Sequence, residues 1–174
     1  GIDDEAAGLL AEAPWPPSLR ELNLYGNEVK GSGLVRLLPH LQGIEILNLG
    51  HNPIGDEGAE AIARASFGGG VNEITLGNGI GPAGADALMS ADRLRRVYRW
   101  LPLEAMILAW IARRGPLTRN ALVENCADYH EVTEWYVESS LNKLAVKETG
   151  SLECREGKYR LSPRGKEACA GLAQ

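Results

Sequence analysis

The sequence predicts an α/β repeat array followed by a small α+β unit, two modules within one chain of 174 residues. Three observations carry this reading. An apolar L-x-x-L-x-L string recurs three times in the first half, its central residue stepping from Leu22 to Leu47 to Ile74. Each string is followed by apolar residues at helical spacing. From Leu101 the glycine-rich period stops, and three helical patterns lead into two short alternating strands around Glu156 and Gly157.

The three copies are LRELNLYGNEVKGSG (19–33), IEILNLGHNPIGDEG (44–58) and VNEITLGNGIGPAG (71–84). Steps of 25 and 27 residues are the length of one supersecondary unit that cannot bury its apolar face alone. Leu and Ile of the string point inward from a short strand. Leu34, Val35, Leu37, Leu38 and Leu41, then Ala59, Ala61, Ile62 and Ala65, continue each copy as a helix. Asn27 and Asn52 fall three positions after the last Leu, where an amide satisfies backbone groups left unpaired inside the coil. Gly33, Gly58 and Gly84 open the helices where little room is left for a side chain.

In these residues the chain resembles leucine-rich repeat proteins of the ribonuclease-inhibitor type over about residues 1–99. The resemblance implies an α/β leucine-rich-repeat solenoid of about three repeats plus partial end repeats. Strand alternation puts Glu21, Asn23, Tyr25, Ile46, Asn48, Gly50, Glu73, Thr75 and Gly77 on its concave face, an acidic and polar row with one aromatic anchor. The third copy is one residue short, so Asn78 lands early and Gly79 takes the Asn place. The opening IDDEAAGLLAEA (2–13) aligns with IGDEGAEAIARA (54–65), so the chain is expected to be the C-terminal piece of a longer solenoid. After Ala91, residues Leu94, Val97 and Trp100 read as a last degenerate strand. Arg99 stands at its buried position, and Arg93, Arg95, Arg96 and Arg99 form a basic edge.

Gly79 to Gly84 also matches G-x-G-x-x-G, the pattern of a pyrophosphate loop at a helix N-terminus. The repeat already accounts for Gly81 and Gly84, which align with Gly55 and Gly58. No acidic residue closes a second strand at the expected distance, and no G-K-[ST] follows. No cofactor is expected.

In the second half, Leu103, Met106, Ile107, Trp110 and Ile111 predict an amphipathic helix ending at Gly115-Pro116. Thr118 is the N-cap of a short helix through Leu122, Val123 and Cys126. A longer helix is expected over about 132–146, with Trp135, Tyr136 or Val137, Leu141 and Leu144 inward. A strand over 151–155, a tight turn and a returning strand over 159–161 follow, and Ser162-Pro-Arg-Gly165 leads into a final helix. This order, with Gly157-Lys-Tyr-Arg-Leu-Ser-Pro-Arg-Gly165, resembles the winged-helix domain of bacterial transcriptional regulators, giving a domain over 100–174. In DNA-binding relatives the third helix enters the major groove and the wing touches the backbone. Carried over by position, Asn142, Lys143, Arg155, Lys158 and Arg160 are the nucleic-acid contacts, with Arg164 beside them. Glu131, Glu134 and Glu138 on the same helix would face phosphate, which disfavours DNA.

Charge separates the halves. Residues 1–90 carry four basic and twelve acidic side chains, a net −8, whereas residues 91–174 carry fourteen and eleven, a net +3. A free-standing nucleic-acid binder shows a stronger basic excess. Cys126, Cys154 and Cys169 are odd in number and lack C-x-x-C spacing, as in a reduced cytoplasmic protein. His40, His51 and His130 lie in no metal or nucleophile motif, and Asp3-Asp4 and Asp56-Glu57 read as helix-start charges. The longest apolar stretch falls far below the ~20 residues of a membrane span. The expected function is therefore non-enzymatic: a protein-interaction module whose repeats bind a protein partner while the winged helix docks or caps. The alternative is a DNA-binding transcriptional regulator with the repeats as sensor.

Overall fold

The computed structural model describes residues 1–172 except 69, 95, 96, 100, 101, 128, 130, 131 and 146–149. Inward-facing Leu and Ile at two-residue spacing make three short strands, β1 (Glu21–Asn23), β2 (Ile46–Asn48) and β3 (Glu73–Thr75). They pair in parallel and in the register of the repeat: Leu22 opposite Leu47, and Leu47 opposite Ile74. A fourth strand, β4 (Tyr98–Arg99), extends the sheet on the β3 side.

β4 corrects the reading of the degenerate strand. Tyr98 pairs opposite Ile74 and is fully buried, so the inner position belongs to Tyr98 rather than Arg99. Arg99 stands opposite Thr75 and turns outward to Glu73, 3.5 Å away. A guanidinium in the core would be unpaired, whereas the phenol ring fills the row that Leu occupies elsewhere. Arg95, Arg96 and Trp100 lie outside the described residues.

Helices α1 (Asp4–Ala11), α2 (Gly31–Leu37), α3 (Gly55–Arg64) and α4 (Pro82–Ser90) back the sheet. One core joins both layers: Leu47 and Ile74 of the strands, with Leu24, Leu49 and Leu76 just after them, meet Ala7, Leu34, Leu37, Ala59, Ile62 and Leu88 from the helices. Val35, expected inward, is 45% exposed and lines an outer groove with Leu38, Pro39, Ala61 and Ala65. Adjacent Leu34 and Val35 cannot both face the sheet at 100° per residue, and Leu34 holds that place.

Chain capping is passed from coil to coil. Asp3 caps its own helix by accepting from the Ala6 amide at 2.9 Å. Asp4 instead reaches the next coil, where its carboxylate accepts from the Lys30 amide at 2.7 Å and from the Ser32 hydroxyl. Asp56 repeats the device, accepting from the Gly81 amide at 2.6 Å. Helices α2 and α4 have no side-chain cap of their own, so the preceding coil supplies it. Burial pulls the Asp4 carboxyl upward, but the hydrogen bonds from Ser32, Lys30 and Gly33 and the Lys30 charge hold it below its ordinary value.

From α5 (Leu103–Arg114) onward the architecture changes. Short β5 (Leu117–Thr118) precedes α6 (Arg119–Cys126) and α7 (Glu134–Ala145). The hairpin β6 (Leu152–Arg155) and β7 (Lys158–Leu161) follows, then α8 (Pro163–Ala168). Strand β5 joins β7 antiparallel, giving a three-stranded sheet in the order β5-β7-β6. At two residues it lay below what an alternation pattern detects. Glu156 and Gly157 both have positive φ, 52° and 71°, as a two-residue hairpin turn needs. Thr118 caps α6 by accepting from Ala121 at 3.2 Å, and Ser162 caps α8 by accepting from Gly165 at 3.1 Å.

Helix α5 is buried nearly all round rather than on one stripe: Ala105, Leu108 and Ala109 are hidden as well as Leu103, Met106, Ile107, Trp110 and Ile111. Its second face is needed because α4 lends Ala85 and Met89 to the same apolar cluster. Arg113 completes the junction with a two-point pair to Asp86, one contact of which is 2.5 Å.

Candidate functional site

The parallel register builds the site row by row. Glu21, Ile46 and Glu73 stand side by side, and Asn23, Asn48, Thr75 and Arg99 form the next row. Glu21, Asn23, Tyr25 and Ile46 are exposed, and Asn48 and Glu73 are half-buried. Thr75 is only 9% exposed, so the face closes toward β4. Glu73 is engaged by Arg99, and Glu45, just before β2, is engaged by Arg20 at 3.4 Å. The face is therefore less acidic than its sequence suggested.

Each strand Asn also fastens its own coil. The Asn23 Oδ1 accepts from the Tyr25 amide at 2.9 Å, and the Asn48 Oδ1 accepts from the Gly50 amide at 3.0 Å. These bonds hold the turn that presents Tyr25. Its ring lies against Gly50, where an added Cβ would sit 2.9 Å from Tyr25 Cδ2. The ring also meets His51, with centroids 4.8 Å apart and planes tilted by 56°. His51 takes φ of 55°, a conformation rare outside glycine. Gly26 stands at the same place in the first coil with φ of 68°. Sequence reading missed His51 as a site residue; its alignment with a turn glycine was the available signal.

Behind this face, Asn52 is fully buried. Its amide donates to the carbonyls of Leu24 (2.7 Å), Leu49 (3.0 Å) and Gly50 (3.2 Å), and its Oδ1 accepts from Val29 (3.0 Å). Asn27 does the same at the first coil, donating to Leu24 and accepting from Ile2. In the shortened third coil Asn78 is exposed, and main-chain bonds replace the amide: Asn78 donates to the Asn52 carbonyl at 2.6 Å. Gly33, Gly58 and Gly84 touch the preceding coil or turn; a Cβ on Gly33 would lie 2.9 Å from Asp4 Cα, on Gly58 2.8 Å from Ile54 Cβ, and on Gly84 2.8 Å from Ala59 Cβ. The Gly81 amide of the glycine string is given to Asp56, which leaves that donor committed within the protein.

The second set of sequence-predicted residues falls on two surfaces. Arg155, Lys158 and Arg160 share the outer side of the hairpin with Glu153, since Tyr159 and Leu161 pack against the core. Arg155 pairs with Glu153 at 3.0 Å, and the Arg160 Nε is buried without a hydrogen-bond partner among the described residues. Asn142 and Lys143 lie exposed on α7, with Lys143 bound to Glu104 at 3.1 Å. Glu134 and Glu138 are also exposed there, and both are held by Arg119. Glu131 and His130 lie outside the described residues.

On α7 the structure reverses one expectation. Val137, Ser140, Leu141 and Leu144 face inward, whereas Trp135 and Tyr136 face solvent. Positions 137, 141 and 144 form the stripe of a helix, and 135 and 136 fall outside it. Among the described residues, no helix is long and apolar enough to cross a membrane, and no group of three His, Cys, Asp or Glu is placed to hold a metal ion.

A parallel strand-and-helix coil with a buried Asn defines the repeat class. A family model described as Leucine Rich repeat matches residues 16–38 and 40–63, the stretches holding β1 with α2 and β2 with most of α3. These two stretches are leucine-rich repeats. A comparison with curated proteins returns no match.

Proposed function

We propose that this chain is a non-enzymatic protein–protein interaction module. Ribonuclease-inhibitor-type repeats over residues 1–99 form a solenoid that offers its inner sheet face, and a winged-helix domain over 100–174 serves as a docking domain for a protein partner and as the cap of the last coil. The carrying observation is Tyr25, 48% exposed yet braced by Gly50 and His51. A rigid amphipathic ring loses little entropy on binding and is the usual anchor of an interface. Exposed Ile46 adds an apolar side chain two rows along the same face, and Glu21, Asn23 and Asn48 add polar groups beside and between them. The covering role rests on Ala85 and Met89 of α4, which share a core with α5, and on the Asp86–Arg113 pair.

The test is affinity capture from cells of the source, read by quantitative mass spectrometry. Proteins retained by the native chain are expected to drop about tenfold on a Tyr25→Ala/Ile46→Ser variant, a loss of about 1.4 kcal/mol. They should persist on Val35→Ser, which alters the outer groove. A retained set unchanged by the Tyr25/Ile46 variant removes the inner face from consideration.

A second reading, a DNA-binding regulator, is favoured by one feature: three cations against one carboxylate on the outer side of the hairpin. It requires salt-sensitive binding of duplex DNA that is lost in Arg155→Ala/Lys158→Ala/Arg160→Ala. No mobility shift at low salt with micromolar protein rejects it.

A further inference from the structure

Trp135 is 71% exposed and Tyr136 53% exposed, the largest aromatic area left in solvent among the described residues. Their rings meet edge to face, with centroids 5.9 Å apart at 81°. The Thr133 hydroxyl accepts from the Tyr136 amide at 3.3 Å and fastens the start of the helix that carries both. Neither ring contributes to the stripe that packs α7, so folding does not explain them.

Two carboxylates frame the pair. Glu134 and Glu138 stand one helical turn apart, and Glu138 lies three residues after Trp135, on the same side of the helix. Both hold the Arg119 guanidinium, at 2.6 and 3.4 Å, yet keep side-chain exposures of 61% and 56%. Two carboxylates facing one guanidinium leave the patch net negative. Arg119 belongs to α6, and Lys143, the cation of α7 itself, is taken by Glu104. The patch thus already accommodates one guanidinium and retains charge for another.

We infer that Trp135, Tyr136, Glu134 and Glu138 form a docking surface for an arginine- or lysine-rich segment of a partner protein. The inference rests on reading the C-terminal half as a docking domain, and it names the surface and the partner's chemistry. A cation over the Trp135 face gains from the ring quadrupole, and a guanidinium gains again from a carboxylate one turn away. The same carboxylates repel a phosphate backbone, which sets a basic peptide apart from nucleic acid.

The experiment measures fluorescence anisotropy of a labelled alternating Arg/Ser peptide, and of its Glu/Ser counterpart, with the intact chain at low salt. The basic peptide is expected to bind and the acidic one not. Trp135→Ala/Tyr136→Ala and Glu134→Gln/Glu138→Gln should each weaken binding about tenfold, while Trp135→Phe retains most of it. All are exposed positions, and an unchanged thermal melt certifies the fold. Salt at about 0.5 M should weaken the native complex by shortening the screening length. Equal binding by the aromatic double variant overturns the inference, as does no binding, tighter binding of the acidic peptide or of duplex DNA, or self-association lost in Trp135→Ala. If Tyr25→Ala/Ile46→Ser abolishes peptide binding and Trp135→Ala/Tyr136→Ala does not, the α7 surface is rejected and the inner-face reading survives.

Discussion

The Asn52 side chain donates to the carbonyl of Leu24, 2.7 Å away in the preceding coil, while its Oδ1 receives the amide of Val29. One buried amide therefore ties two successive repeats through three carbonyls and an N–H, in a place without access to water. The coils are joined by this polar seam as well as by Leu and Ile packing.

Asn52→Ala should cost about 2–4 kcal/mol, because it strands the Val29 amide and the Leu49 carbonyl in the core. Asn78→Ala, at the corresponding turn of the third coil but exposed, should stay within about 0.5 kcal/mol of the native chain. Urea unfolding of the two variants decides this; equal stabilities would refute the seam.

The Asp4 carboxyl is held below its ordinary value of 3.8 by the hydrogen bonds that overcome its partial burial. A carboxyl depressed on folding contributes stability above its unfolded pKa and loses it as pH falls through the folded value. The native chain should therefore exceed Asp4→Asn in stability at neutral pH, and the gap should close below about pH 4. Thermal melts of both proteins from neutral to acid pH measure it. A gap that stays constant with pH would show that Asp4 acts by shape alone.

Two tryptophans should respond oppositely to truncation. Trp135→Ala removes a solvent-facing ring and should change stability by no more than about 0.5 kcal/mol. Trp110, 7% exposed and packed beside Tyr129 with ring centroids 6.4 Å apart, should cost about 3–5 kcal/mol as Ala. A large loss at Trp135 would place that ring inside.

Thiol reactivity follows burial. Cys154 is exposed on β6, whereas Cys126 and Cys169 are buried, and burial pushes the Cys126 thiol up to about 12. Alkylation requires the thiolate, so at mildly alkaline pH Cys154 should be labelled first and Cys126 only after unfolding. Mass spectrometry of the labelled peptides reads the order, and early labelling of Cys126 would contradict the packing of α6.

The coil was legible because its signals repeat. Leu22, Leu47 and Ile74 announce the strands, and their recurrence at steps of 25 and 27 residues sets the parallel register, since similar coils stack with like residues opposite. Asn27, Asn52 and the helix-opening glycines were readable for the same reason. Their partners lie in the equivalent place of the next coil or the one before. Thr118, Ser162 and the Glu156-Gly157 turn were legible as local chemistry.

Tertiary structure decided what depends on a neighbour arriving from elsewhere. Asp4 has the look of a charge for its own helix, yet its partner amide is 26 positions away. Tyr98 displaced Arg99 from the inner row because β3 fixed which residue faces the core. On α7, hydrophobicity pointed Trp135 inward, but the buried stripe runs through Val137, Ser140, Leu141 and Leu144 and accepts even a serine before it turns. By itself the sequence determined the coil and its polar seam, because repetition writes each contact more than once. Only the folded chain determined which single faces are covered, since a lone helix carries no record of the element that will pack against it.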